Sequence, residues 1–271
     1  MPVCRPHPPS SIVGYQNKSV VGGQYNMTCS TFLKIGKAKS EMTFGDITAN
    51  RDFAFCSDTI MTLTTNGGRT GNIITYLTAE EAEEIAIPGL TAGWYDNEFL
   101  NSGWDWESEI PAEYKFNDKL LPFGTMVIVQ GTDGANVNYS GEVVGANHQF
   151  EIIGGQYNMI GNAMPVDYVM GDITANRDFA FCSDTIMTLT TNGGRTGNII
   201  TYLTAEEAEE IGIPGLTAGW YDNEFMNSGW DWESEIPAAY KFNNLPVPAG
   251  YGFIAQGTDG AIVEVPSPLA D

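Results

Sequence analysis

The sequence has few of the groups that carry common enzyme chemistry. Only two histidines occur in 271 residues, and neither lies in the long block that the chain repeats. A Ser-His-Asp or Cys-His nucleophile is therefore not expected. The chain also has no phosphate-binding glycine loop with its lysine. These absences predict a protein that is not an enzyme.

Basic residues and long apolar runs are also scarce. Twelve lysines and arginines face 34 acidic residues, giving a net charge of −22. This balance argues against nucleic acid and anionic membranes as partners. No run approaches the ~18 apolar residues that span a bilayer, so no membrane insertion is expected. The first ten residues lack the apolar core of a signal peptide, which leaves either a mature form or a chain that is not exported by that route.

Cysteine is limited to four positions without a Cys-x-x-Cys spacing, so a zinc site is not expected. One pairing joins Cys29 to Cys56 and leaves Cys4 and Cys182 to link one subunit to the next. The alternative is that Cys56 and Cys182 are small buried apolar residues.

What the chain does have is an internal repeat. Residues 45–116 return as residues 171–242, and three of the 72 aligned positions differ. Flanking segments repeat more loosely, which predicts two copies of one small domain. The near-identity fits either a recent duplication or two surfaces that must make the same contact.

The repeated block predicts strands and one short helix. Residues 58–77 read as a β-hairpin around an Asn-Gly-Gly turn. Thr78 and Glu81 form a capping box for a helix over residues 79–86, repeated over 205–212, where Gly212 is expected to weaken the second copy. Further strands are expected at residues 125–130 and 135–144.

These elements predict an all-β fold with two tandem β-sandwich-like domains, each with seven or eight strands. The proline-rich residues 1–10 are expected to form an extended arm. The first domain covers residues 11–142, the second residues 143–265, and residues 266–271 form a frayed tail.

A six-residue length difference separates the copies between their second strand and the repeated block. The longer first copy is basic there, with Lys34, Lys37 and Lys39. One interpretation is a solvated loop. The other is an assembly contact that docks on the acidic face of a neighbouring unit.

Acidic and tryptophan residues cluster in each copy. Four alternatives stand: a structural and solvated cluster, a calcium site, a carbohydrate site, or a catalytic carboxylate pair. The weak calcium candidates are Asp96, Glu98, Asp105, Glu107, Asp222, Glu224, Asp231 and Glu233. The residues of the glycan-binding alternative are Trp94, Trp104, Trp106, Trp220, Trp230 and Trp232.

The unit also resembles a family of secreted repetitive β-sandwich proteins of Gram-negative bacteria. The shared pattern runs from Val13-Gly14-Tyr15 through Gly23 to Met27, then Gly93-Trp94, Pro122 to Val127, and Gly134 to Val143. The resemblance implies a surface-layer or fibre component without assigned catalysis.

Together, these features lead us to expect a secreted or cell-surface structural protein. Its units would assemble head to tail into an extracellular filament or surface layer, with copies of itself as partners. The alternative is a tandem glycan-binding, adhesin-like module that uses the Trp and acid loops. No cofactor is expected, apart from calcium in one interpretation of the acidic cluster.

Overall fold

The chain folds mainly into short β-strands, which confirms the predicted all-β class. A computed structural model describes residues 12–23, 26–50, 59–63, 69–101, 109–155, 157–176, 185–189, 195–227 and 235–270. Of these, the backbone alone is described for residues 59–63, 69–72, 101, 185–189, 195–198 and 227. Within this part of the chain, no helix is both long and apolar enough to cross a membrane.

The first copy, called unit 1 (residues 11–142), forms two antiparallel sheets. The smaller sheet contains β1 (Val13–Ser19), β3 (Thr48–Ala49) and β8 (Asn136–Glu142), in the order β1-β8-β3. The larger sheet has the order β2-β7-β4-β5-β6. Its strands are β2 (Asn26–Cys29), β4 (Thr59–Leu63), β5 (Arg69–Leu77), β6 (Gly93–Asp96) and β7 (Met126–Gln130).

The second copy, called unit 2 (residues 143–265), contains the same two sheets. The smaller is ordered β12-β18-β9, from β9 (His148–Glu151), β12 (Thr174–Ala175) and β18 (Ile262–Val265). The larger is ordered β10-β17-β13-β14-β15, from β10 (Asn158–Gly161), β13 (Thr185–Leu189), β14 (Arg195–Leu203), β15 (Gly219–Asp222) and β17 (Gly252–Gln256). A further ladder pairs β11 (Tyr168–Val169) with β16 (Pro246–Val247).

The two sheets of a unit bury their facing side chains against each other. In unit 1, Val137 and Tyr139 of β8 share one core with Ile74 of β5 and Trp94 of β6. Burial alternates along β8, as the two-residue period of a strand requires. Each fully buried side chain of this kind contributes about 1.5–3 kcal/mol to stability.

The predicted hairpin is present in both units. Strand β4 pairs with β5 in antiparallel register, Ile60 opposite Ile74 and Met61 opposite Ile73, and a register shift follows before Leu63 pairs with Arg69. The turn at residues 64–68 lies outside the described residues.

The capped helices α1 (Ala79–Ile85) and α3 (Ala205–Ile211) form where the sequence predicts them. The Thr78 hydroxyl accepts from the Glu81 amide, and the Glu81 carboxylate accepts from the Thr78 amide. The expectation for Gly212 is wrong, because this position ends the helix with a left-handed backbone, φ 69°. Ala86 adopts φ 58° at the equivalent position of α1, where a side chain is disfavoured.

The expectation of a frayed C-terminal tail is also wrong over the described residues. Ser267 is buried; its hydroxyl donates to the Val144 carbonyl at 2.7 Å, and its amide donates to Asn147 Oδ1 at 2.9 Å. Both partners belong to the segment that connects β8 to β9. The tail is therefore held by hydrogen bonds of Ser267 to the segment between β8 and β9, which connects the two units.

Candidate interaction surfaces

The two units are in direct contact through their larger sheets. A shared apolar cluster contains Met126 and Ile128 of β7 together with Ile254 of β17. Met27 and Met159, which occupy equivalent positions on β2 and β10, pack against this cluster. An isolated β-bridge also joins Thr28 of unit 1 to Tyr251 of unit 2. The connection between the repeats is therefore a packed apolar interface.

Contacts across this interface are reciprocal. In unit 1, the loop at Gly124 lies against His148 and Phe150 of β9. In unit 2, the equivalent loop at Gly250 lies against Gln16 and Lys18 of β1. Gln16 and Lys18 stand at the β1 positions that correspond to His148 and Phe150, so the units are related by an approximate two-fold axis.

The longer segment of unit 1 helps to form this contact. Leu33 and Met42 pack on the main apolar cluster of unit 2. Lys37 binds Asp46 of its own unit at 2.6 Å. Lys39 crosses to unit 2, where its Nζ lies 3.0 Å from Nδ1 of His148. The segment therefore contacts the neighbouring unit of the same chain, but through an imidazole and apolar side chains rather than an acidic face. Nothing in the structure assigns a role to Lys34.

His148 is buried where the two units meet. Its ring makes edge contacts with Phe123 of unit 1 and with Phe150 of its own strand, at centroid distances of 5.0 and 4.3 Å. Burial and, to a smaller extent, the nearby Lys39 charge lower the pKa of His148 to about 4, while a hydrogen bond with the Phe123 backbone opposes the change. The imidazole is therefore neutral at pH 7 and accepts a hydrogen bond from the Lys39 ammonium.

A groove of about 600 Å³ opens beside this contact, between the Pro122–Thr125 segment of unit 1 and the edges of β9 and β10. Phe150 and Met159 contribute apolar surface to it. Glu151 is the one carboxylate among its described lining residues. Most glycoside hydrolases use two flanking carboxylates, and the described lining residues do not supply such a pair.

Two of the six tryptophans are core residues. Trp94 and Trp220 have no exposed surface, and their indole N–H groups donate to the carbonyls of Ile47 and Ile173 at 2.9 and 2.7 Å. Neither ring can therefore stack on a sugar in this structure, which removes both from the glycan-binding alternative. Trp104, Trp106, Trp230 and Trp232 lie outside the described residues.

The described acidic candidates have local structural surroundings. Asp96 and Asp222 accept hydrogen bonds from the Phe99 and Phe225 amides at 2.8 Å. These bonds cap two short helices, α2 (Asn97–Asn101) and α4 (Asn223–Asn227). Neither helix was predicted from the sequence. Glu98 and Glu224 are in their first turns. Within the described ranges, no three potential metal ligands group together. Asp105, Glu107, Asp231 and Glu233 lie outside those ranges.

Cys29 is a free, buried thiol, so the predicted Cys29–Cys56 disulfide is absent. Burial raises the pKa of Cys29 to about 12, and the Lys18 charge opposes the change. The thiol sits in the interface, 3.5 Å from the Asn162 carbonyl of unit 2. Cys4, Cys56 and Cys182 lie outside the described residues, and a Cys4–Cys182 link stays a prediction.

Strand β1 presents a second surface, at the outer edge of the smaller sheet of unit 1. It pairs with β8 on one side, and no described strand pairs with its other side. Val13 and Tyr15 are each 62% exposed. The sequence predicts an extended arm before this strand, whereas the position of β1 at a sheet edge becomes visible only in the structure.

Comparisons with protein-family models, with curated proteins and with solved structures find no match for this chain. The inference of function therefore rests on the geometry of these surfaces.

Proposed function

We propose that the protein is a secreted structural subunit that assembles into an extracellular filament or surface layer, with strand β1 as its acceptor edge. The β1 edge, which pairs with no described strand on its outer side and exposes Val13 and Tyr15, is the observation that carries this proposal. Unpaired backbone groups along such an edge are a template for another strand, and soluble proteins usually protect them.

The equivalent edge in unit 2 is protected. β9 has four residues, whereas β1 has seven. Gln149 of β9 corresponds to Asn17 of β1. Glu151 of β9 corresponds to Ser19 of β1, and Glu151 is exposed. Short length and outward charge are both devices that discourage edge pairing. Among the described residues, short length and an outward Glu151 shield the β9 edge, whereas no strand and no outward charge covers β1, whose Lys18 points inward to the Ala249 carbonyl.

The outward-facing side of strands β1 and β8 carries almost no charged residues. Hydrogen bonds tie Tyr15 to Asn138 at 2.8 Å and Ser19 to Asn136 at 2.9 Å across β1 and β8. Glu142, at the end of β8, is the one charged residue among the outward-facing positions of these two strands. Copies with a net charge of −22 repel each other, so an uncharged face is where a second copy approaches with least repulsion.

Directional growth requires two different surfaces on each chain. The N-terminal arm, residues 1–10, lies outside the described part of the chain and precedes β1 in the sequence. An arm that docks on the β1 edge of the next copy makes a heterologous contact, and such contacts generate open chains. Pairing of β1 with a second β1 would instead close a symmetric dimer.

Negative-stain electron microscopy of the purified chain, with sedimentation, tests this function. We expect filaments or sheets that disappear with Tyr15→Lys or after deletion of residues 1–10. Leu120→Lys is the matched control, because Leu120 is 64% exposed but lies outside the named strands. Monomeric wild-type protein at high concentration would contradict the proposed function. Assembly that persists in Tyr15→Lys would remove β1 from it.

A further inference from the structure

Two positions near the approximate two-fold axis hold residues of different size in the two units. Cys29 of β2 corresponds to Gly161 of β10, and Met126 of β7 corresponds to Gly252 of β17. Each large residue faces its small counterpart: a β-carbon on Gly161 would lie 2.6 Å from Cys29 Sγ, and one on Gly252 would overlap the Met126 side chain, with Sδ at 2.6 Å.

The backbone does not require glycine at these two positions. Neither Gly161 nor Gly252 is among the residues with positive φ. Glycine in the middle of a strand lowers stability by roughly 0.5–1 kcal/mol relative to alanine. Gly252 is therefore explained by the close approach of Met126 from the other unit. Gly161 is confined by Cys29 of the other unit and also by the Tyr251 carbonyl oxygen of its own unit, which lies 2.8 Å from a β-carbon built there.

We propose that these two pairs make the inter-unit surface specific for the unlike unit. If unit 1 met a second unit 1, Met126 would face Met126 and Cys29 would face Cys29, and the interface would be overfilled. If unit 2 met a second unit 2, glycine would face glycine and leave a cavity. When unit 1 meets unit 2, each space between the sheets holds one large side chain. The clash or the cavity in the two like pairings disfavours them, and such penalties on the wrong partner create specificity.

The surface formed by these two pairs is distinct from the β1 edge that carries the proposed function. The face of unit 1 that contains Cys29 and Met126 selects unit 2 as its partner. Unit 2 of the same chain already occupies this face. Contacts between chains must then use other surfaces.

A double-mutant cycle in the full-length chain tests the specificity. Met126→Gly opens a cavity and Gly252→Met creates a clash, so we expect each to lower the melting temperature by roughly 5–10 °C. The double variant exchanges the two residues and should recover most of the loss. Gly145→Met is the control, because no atom lies within 4 Å of a β-carbon at Gly145.

The cycle has clear outcomes. If Gly252→Met alone does not fold, a folded double variant shows the same rescue. If the losses of the single variants simply add in the double variant, or if the double variant also fails to fold, the proposal is overturned.

Discussion

Acidification should weaken the contact between the units through His148. The folded protein holds this histidine at a pKa of about 4, below its ordinary value of 6.5. Between these values the unfolded chain binds more protons than the folded chain, so stability falls as the pH falls through this window. From pH 7 to 4.5, the difference amounts to about 2.5 kcal/mol. Part of this loss is the repulsion between a protonated imidazole and the Lys39 ammonium, 3.0 Å away.

Urea denaturation of wild type and of His148→Gln at pH 7 and 4.5 measures this effect. Glutamine is the matched replacement, because Gln16 stands at the equivalent position of unit 1. Carboxylates titrate in both proteins, so the difference between the two pH dependences isolates the histidine. We expect the wild type to lose about 2.5 kcal/mol more than the variant. Equal losses would refute the assignment of a buried, neutral His148.

Two matched pairs of variants test the local geometry. Trp94→Ala and Trp220→Ala should each lower the free energy of unfolding, measured by calorimetry, by about 3–5 kcal/mol. The two losses should be similar, because both indoles are fully buried with equivalent hydrogen bonds. A near-neutral effect would show that the ring is not in the core. Ala86→Gly should stabilise the protein by about 1 kcal/mol, and Gly212→Ala should destabilise it by about as much, because both positions have positive φ. Chemical denaturation measures both changes, and the opposite signs would contradict the left-handed helix ends.

The local fold could be predicted from the sequence because its signals are short-range. Strand alternation, the hairpin turn and the Thr78–Glu81 capping box each act within a few residues. The second helix, α2, was not predicted, because Asp96 was interpreted as a member of the acidic cluster and not as a helix cap. The Gly212 error has a similar cause: glycine weakens a helix interior but favours its end, and the boundary differs by one residue.

The interaction surfaces could not be predicted from the sequence in the same way. The fit of Cys29 against Gly161 depends on how the units are placed, and the repeat alone does not specify that placement. The burial of His148 has the same origin. In contrast, the difference between the edges β1 and β9 is visible in the sequence, as the replacement of Ser19 by Glu151, once the strands are aligned.

Amide hydrogen exchange across β1 tests the central claim most directly. Exchange is measured by mass spectrometry on the dispersed protein and on assembled material, with β9 as the internal reference. If β1 is the acceptor edge, amides in Val13–Ser19 that exchange quickly in the dispersed protein become protected on assembly, while those of His148–Glu151 do not change. Assembled material in which β1 exchanges as fast as it does in the dispersed protein would contradict the account.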